Sequence, residues 1–205
     1  MSNVTTNIMN PIIVVISGPS GVGKDVMITR MIESNRIGFH FTVTMTTRDS
    51  RPSEIDGVNH HFVTVDDFVN LIAGDDLLEW AQVYGNYYGV PKQQVRDALI
   101  AGNHVILRVD VQGAKRLSEI IPEALLIFIT PPSLDVLKTH LQKRGVDTET
   151  EMTKRLTAAK EEISQASLFD FTITNEEGHL DDTVNRVVEI IESESQRIPP
   201  RKVSI

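Results

Sequence analysis

Two kinds of segment alternate along the chain, distinguished by their spacing of apolar residues. Ile12 to Ile16 is a continuous apolar, β-branched run, typical of a strand buried on both faces of a parallel sheet. Pro91 is well placed to begin a helix. The pattern predicts further strands at 41–46, 58–63, 77–83, 104–109, 124–129 and 169–174, and helices at 24–35, from 66, at 91–102, from 112, at 133–144 and on both sides of the last strand.

This alternation predicts an α/β fold with a doubly wound parallel sheet. Ligands of such sheets bind at the carboxyl ends of the strands. We expect a single domain over residues 11–197. We expect the tail, 198–205, with its Pro-Pro and Arg-Lys pairs, to be loose.

Composition narrows the possible functions. The chain has 205 residues, a formal net charge of -8 and no cysteine. An acidic surface argues against general nucleic-acid binding, and the absence of cysteine excludes disulfides and thiolate zinc sites. The first apolar run is too short for a signal segment or a membrane span. These features favour a soluble, cytoplasmic protein with no nucleic-acid or membrane partner.

The strongest motif follows the first strand directly. The G-x-x-x-x-G-K pattern is formed by Gly18, Pro19, Ser20, Gly21, Val22, Gly23 and Lys24. Its glycines let backbone N–H groups turn toward phosphate oxygens, the next helix adds its dipole, and Lys24 adds a full charge. An accidental glycine-rich turn is the alternative, but the strand before and the helix after favour phosphate binding. Asp25 stands where a Ser or Thr usually holds Mg²⁺.

A second group of residues suggests another anionic ligand. Arg48 and Arg51 follow a predicted strand and have the chemistry to clamp a phosphate, although two solvated arginines would give the same spacing. Glu79 lies in a strongly apolar stretch. Its carboxylate could accept hydrogen bonds from N1–H and the amino group of guanine, or it could be an acid on an exposed strand edge.

Taken in order, these segments resemble the guanylate kinase family. The resemblance is carried by the phosphate loop, T-T-R-x-x-R-P-x-E-x-x-G, L-E-W-A, N-Y-Y-G, V-D-V-Q-G, P-P-S, R-G-x-x-T-E and K-R-L-x-x-A, over about residues 11–192. It implies transfer of the γ-phosphoryl group of ATP to GMP, with Mg²⁺. It also implies a P-loop sheet core, a small β-rich GMP-binding lobe at about 42–92 and a helical lid at about 134–165.

The resemblance also implies roles for individual residues. The GMP phosphate and its surroundings would be held by Thr44, Arg48, Arg51, His60 and Tyr88. Guanine would be read by Glu79, with Asp110 close to GMP and the reacting phosphates. The residues implied for ATP are Gly18, Pro19, Ser20, Gly21, Val22, Gly23, Lys24, Asp25 and Asn175, and those implied for catalysis are Lys24, Arg48, Arg144 and Arg155.

Five positions depart from the family pattern. Asp25 replaces a hydroxyl residue, and His60 replaces a tyrosine. Val90 replaces a hydroxyl residue that faces guanine, Arg108 an acid near the metal, and His140 a lid arginine.

Residues 108 and 110 point to the same face of a strand. We therefore expect Asp25 and Arg108 to form an ion pair within ~4 Å in the empty site. With MgATP bound, Asp25 would turn to the metal, directly or through water.

Two other functions share parts of this pattern. One is a guanylate-kinase-like binding module without catalysis, which the retained Lys24 and loop glycines disfavour. The other is a related kinase with another acceptor, such as a ribose phosphate, which His60 and Val90 would permit and Glu79 disfavours. The sequence leaves the oligomeric state open.

Overall fold

The computed structural model describes residues 10–34, 36–51, 54–83, 85–143, 148–201, 203 and 205. The strands are β1 Ile13–Ser17, β2 Phe39–Phe41, β3 Met45–Thr46, β4 His61–Phe62, β5 Leu77–Val83, β6 Asn86–Pro91, β7 His104–Arg108, β8 Leu125–Thr130 and β9 Phe171–Thr174. The helices are α1 Lys24–Ser34, α2 Val65–Ala73, α3 Lys92–Ile100, α4 Val111–Ile120, α5 Leu134–Lys143, α6 Glu149–Ser164 and α7 Leu180–Ser195, with a 3₁₀ turn at Ala166–Leu168.

Within these described residues, five strands form a parallel core sheet in the order β2-β7-β1-β8-β9. The central strand β1 is fully buried because helices cover both faces of the sheet. Val14 and Ile16 pack in the layer that contains α1 and α7, while Ile13 and Val15 pack in the layer that contains α3 and α4. The predicted doubly wound parallel sheet is therefore confirmed.

A second sheet, ordered β4-β3-β6-β5, forms a small lobe. The strand predicted at 41–46 is divided between the two sheets, because Thr42 donates its N–H to Ile106 of the core and Met45 already pairs with Gly89 of the lobe. The segment between them is fastened by the side chain of Gln94, which accepts from the N–H of Val43 at 3.1 Å. The sequence pattern did not predict β6, which pairs antiparallel with β5.

Helices α5 and α6 pack together at the edge of the phosphate loop. Leu137 and Leu141 of α5 are buried, and Leu141 lies against Gly21 of that loop. Thr148 and Glu151 form a capping box that begins α6. No helix among the described residues combines the length and apolar composition that a membrane span requires.

The chain terminus does not match the expectation of a loose tail. The side chain of Arg201 is 7% exposed and bonds to Glu194 at 2.7 Å and to the carbonyl of Ala124 at 3.1 Å. Val203 and Ile205 pack, partly buried, against the core layer that contains α4. The Pro-Pro composition suggested disorder, but one buried arginine with several acceptors fixes this segment to the core.

Replacing Arg201 with Met should therefore destabilise the protein by about 2 kcal/mol, because Glu194 and two core carbonyl groups lose their charged donor. Urea denaturation measures the change. Arg197→Met is the matched control, since its side chain is 53% exposed and lies 3.8 Å from the same Glu194. Equal losses in the two variants would show that the tail contributes no specific stabilisation.

Candidate active site

The phosphate loop, Gly18 to Gly23, connects the end of β1 to the first turn of α1. Gly18 has φ +140°, and a Cβ there would lie 2.1 Å from the carbonyl oxygen of Ile129. Gly23 has φ +99° and a similar conflict with the amide nitrogen of Asn175, at 2.7 Å. Because only glycine fits these two positions, the loop backbone lies directly against β8 and the segment after β9.

Two side chains are anchored to this loop. The ammonium group of Lys24 donates to the carbonyls of Gly18 and Pro19, so it lies over the loop. Asn175 donates to the carbonyl of Val22 at 2.8 Å and accepts from the Thr183 hydroxyl at 3.0 Å. Asn175, implied near adenine by the resemblance, therefore also supports the loop backbone.

Asp25 and Arg108 form the ion pair expected from the sequence. The parallel register places Arg108 beside Ile16, so its side chain reaches the start of α1 from the neighbouring strand. Its guanidinium also lies 5.5 Å from the ring centroid of Phe41. The Asp25 side chain is 61% exposed, which keeps the pair weak enough to exchange partners.

In the lobe, the structure brings together four of the predicted GMP-side residues, Thr44, Arg48, His60 and Tyr88, here called the acceptor cluster. The hydroxyl of Thr44 lies 2.8 Å from Nδ1 of His60, and the rings of His60 and Tyr88 meet edge to face at 6.0 Å. Arg48 lies 5.7 Å from the ring centroid of Phe62, next to the same histidine. The carboxylate of Glu54 and, to a smaller extent, the nearby Tyr88 raise the pKa of Arg48.

Glu54 holds Arg48 in place. Its two oxygens accept from the Arg48 guanidinium at 2.9 and 3.0 Å, and one also accepts from the N–H of Arg51 at 2.8 Å. Burial by itself would raise the pKa of Glu54, but the hydrogen bonds from Arg48 and Arg51 outweigh it and lower that pKa. The Arg51 side chain is 63% exposed at the lobe surface. Glu54 is thus a positioning residue that spacing alone did not reveal.

The protonation state of His60 decides what this side chain contributes to the acceptor cluster. Burial, together with the nearby guanidinium groups of Arg108 and Arg48, lowers the pKa of His60 to about 4. His60 is therefore neutral at physiological pH and adds no positive charge to the acceptor cluster.

Glu79 is buried in the lobe and faces α4. Its side chain is 5% exposed, and one oxygen, Oε1, accepts two hydrogen bonds from Arg116, with the Nε bond at 2.8 Å. Burial raises the pKa of Glu79, while Arg116 opposes that shift. The interpretation of Glu79 as an acid on an exposed edge is therefore wrong. Sequence reasoning missed Arg116, 37 residues away from Glu79 in the chain, because its polar helical pattern does not show which charged residue faces Glu79.

Two further carboxylates, Asp110 and Glu162, lie at the start of α4 and on α6. Asp110 caps α4 by accepting from the N–H of Gly113 at 2.7 Å. Glu162 projects from α6 and has a buried oxygen, Oε2, with no hydrogen-bond partner. Burial raises the pKa of Glu162 to about 7, and the charges of Lys24 and Asp110 both act on it. Glu162 lay unremarked in a polar helical pattern that gave no sign of this burial.

The remaining predicted residues are those that the resemblance assigns to a lid. Arg155 is half-buried on α6; hydrogen bonds from Thr148 lower the pKa of Glu151, and the charge of Arg155 adds a smaller effect in the same direction. Arg144 lies outside the described residues. Nδ1 of His140 lies 3.3 Å from the carbonyl oxygen of Gly21. Helix α5 therefore contacts the phosphate loop through a histidine.

Comparison with known proteins gives a consistent result. The guanylate kinase family matches residues 9–194. The chain is 44% identical to guanylate kinase 2, chloroplastic/mitochondrial, of Oryza sativa subsp. japonica over 95% of this chain and 68% of that protein. It is 42% identical to guanylate kinase of Latilactobacillus sakei subsp. sakei (strain 23K), with 91% of each chain covered.

A solved structure agrees with these relatives. The guanylate kinase from Anaplasma phagocytophilum has a TM-score of 0.74 to this fold and 29% sequence identity, covering 92% of this chain and 88% of its own. The family match spans most of the sequence. The chain belongs to the guanylate kinase family.

Proposed function

We propose that the chain transfers the γ-phosphoryl group of ATP to GMP, giving ADP and GDP. The observation that carries the proposal is a phosphate loop whose carbonyls hold Lys24, combined in one domain with an acceptor cluster in which Glu54 orients Arg48. The first supplies a donor-phosphate site and the second a site for a second phosphate. Family membership gives independent support.

On the donor side, the backbone N–H groups of the phosphate loop and the α1 N-terminus receive the ATP phosphates. Lys24 leaves the loop carbonyls that it now contacts and neutralises the β- and γ-phosphates. Asn175 keeps its support of the loop while the nucleotide is bound. Little covalent chemistry is required of the protein, because alignment and charge neutralisation supply most of the catalysis.

On the acceptor side, Arg48 binds the GMP phosphate, with Arg51 and Tyr88 completing the contacts. Glu54 presents the Arg48 guanidinium in a fixed orientation, which reduces the entropy lost on binding. Thr44 and neutral His60 offer hydrogen bonds rather than charge. Glu79 reads the guanine, with Asp110 nearby.

The lid completes the site. Arg155 and Arg144 would approach the transferring phosphoryl group as α5 and α6 close, and closure would exclude water that otherwise hydrolyses ATP. His140 lies at the contact between α5 and the phosphate loop, so closure is transmitted to the loop directly.

The family implies Mg²⁺, and the residues beside the phosphate loop offer it one ligand. Mg²⁺ is bound by one or two carboxylates together with substrate phosphates and retained waters. Asp25 offers an exposed carboxylate beside the loop, and the described residues include no group of three or more candidate metal ligands. Asp25 would therefore hold the ion together with the nucleotide phosphates. The bound ion would supply charge neutralisation. A cytoplasmic location stays a prediction.

The acceptor test measures kcat/KM for GMP, AMP, CMP and UMP with MgATP. GMP should be favoured at least about tenfold, because Glu79 accepts from guanine N1–H and faces an acceptor at N1 of adenine. Equal values for AMP and GMP would contradict the assignment of Glu79. Turnover of a ribose phosphate without turnover of GMP would favour the alternative kinase.

The Asp25–Arg108 pair should show coupling in a double-mutant cycle. Arg108→Asp alone places a second carboxylate beside Asp25, and Asp25→Ser alone removes the partner of Arg108, so each single variant should lose activity. The double variant restores the family pattern and should recover activity. Strictly additive losses, measured as kcat/KM for GMP, would show that the two residues act independently.

Glu162 should make stability depend on pH. A carboxyl whose folded pKa is raised contributes stability that is complete below its unfolded pKa, near 4.5, and is lost as the pH rises through about 7. Glu162→Gln should therefore be more stable than the unmodified protein at pH 8, on the order of 1 kcal/mol after solvent screening, and lose this advantage at pH 5. Thermal unfolding at both pH values tests this, with exposed Glu161→Gln as the control. A difference that does not change with pH would contradict the assignment.

A further inference from the structure

Arg116 joins the buried carboxylate of Glu79 to the solvent side of α4. Its Nε and Nη2 both donate to the same oxygen of Glu79, and its side chain is 37% exposed while that of Glu79 is 5% exposed. Within the described residues, Nη1 of Arg116 has no hydrogen-bond partner. The arginine therefore keeps donor capacity beside the carboxylate that the proposed function assigns to guanine.

The other groups around Glu79 supply no comparable donor. Strand register places Val90 directly opposite Glu79, so both side chains point to the same face of the sheet, and Val90 is apolar and 1% exposed. Asp110 acts on Glu79 as a second acid, and it already accepts the N–H of Gly113. Arg116 is therefore the side-chain donor next to Glu79 in the part of the chain that the structure describes.

Guanine requires both kinds of partner. The N1–H and the 2-amino group of guanine are donors, which suit a carboxylate. Its O6 is an acceptor, which a carboxylate repels. A site that leaves O6 unpaired forfeits binding energy and part of its discrimination. A guanidinium fixed against the same carboxylate places a charged donor next to the acceptor that reads N1–H.

We propose that Arg116 is a specificity-determining residue that donates to O6 of guanine while Glu79 accepts from N1–H and the 2-amino group. The proposal rests on GMP being the acceptor and on Glu79 reading it. In the empty cleft, Arg116 uses Glu79 as its partner and so orients that carboxylate. When GMP binds, the base contacts both members of the Arg116–Glu79 pair, and the ion pair itself stays formed. The arginine thus provides the donor that a hydroxyl at position 90 would otherwise offer.

Arg116→Met tests the proposal with three acceptors in the full-length enzyme: GMP, IMP and 6-thio-GMP. IMP keeps O6 but lacks the amino group, whereas the sulfur of 6-thio-GMP is a weak acceptor. The variant should lose about tenfold in kcat/KM for GMP and for IMP, and much less for 6-thio-GMP. Calorimetric titration with GMP alone should show a matching loss of affinity. Lys115→Met, an exposed charge loss on the same helix, is the control and should change none of these values.

Three outcomes would overturn the proposal. Tighter GMP binding by Arg116→Met would mean that the arginine only competes with the base, and equal losses for all three acceptors would mean a structural role. An unchanged variant would remove the arginine from recognition altogether. Failure of the unmodified enzyme to phosphorylate GMP would instead refute the proposed function, so the two failures are distinguishable.

Two further variants separate recognition from folding. Arg116→Lys keeps a charged donor beside Glu79, so it should retain much of the preference for GMP over 6-thio-GMP even where the Met variant is too unstable to assay. Adding Val90→Thr to Arg116→Met places a hydroxyl donor opposite Glu79 and should restore part of the lost preference. A Lys variant that folds and behaves like the Met variant, or a threonine that restores nothing, would count against a donor to O6.

Discussion

The close approach of the phosphate loop to β8 is the constraint on which the rest of the cleft depends. A side chain at Gly18 would overlap the carbonyl of Ile129, so the loop backbone is fixed by the core sheet. Asn175 holds the same loop from the end of β9, and Leu141 of α5 touches Gly21. The core sheet, the segment after β9 and α5 therefore meet at one short loop, so a displacement of α5 would displace that loop as well.

The second constraint is charge. Arg48, Arg108 and Arg116 are each paired with a carboxylate, although the chain as a whole has a formal net charge of -8. Pairing keeps these cations oriented in the empty cleft without leaving a partly buried charge uncompensated. The pairs differ in how readily they exchange. Both side chains of Arg48–Glu54 are under 20% exposed, which suits a permanent clamp, whereas Asp25 is 61% exposed, which suits a pair that can separate.

Local sequence signals predicted the parallel strands and the phosphate loop, because apolar runs and glycine spacing are short-range features. The Asp25–Arg108 pair joins distant parts of the chain and was predicted from two departures from the family pattern together with strand alternation. The division between β2 and β3 was missed because one continuous strand pattern serves two sheets. Arg116 and Glu162 were missed for a different reason. Each lies in a polar helical stretch whose pattern does not say which charged residue turns toward the cleft. The tail was misjudged because its composition resembles a loop, while a single buried arginine decides its position.

Two of the departures from the family pattern, Asp25 and Arg108, are neighbours in the folded chain although they are distant in sequence. The acid at the start of α1 faces the cation at the end of β7, so the cleft keeps one charge of each sign. Val90 and Arg116 both lie against Glu79, one apolar and one a donor. A lone acid at the phosphate loop would repel ATP, so the acid at position 25 is better tolerated beside the cation at position 108. Because a cleft that binds two polyanions is limited by its total charge and its count of donors, the element that supplies a given group is free to change, provided that its neighbour changes with it.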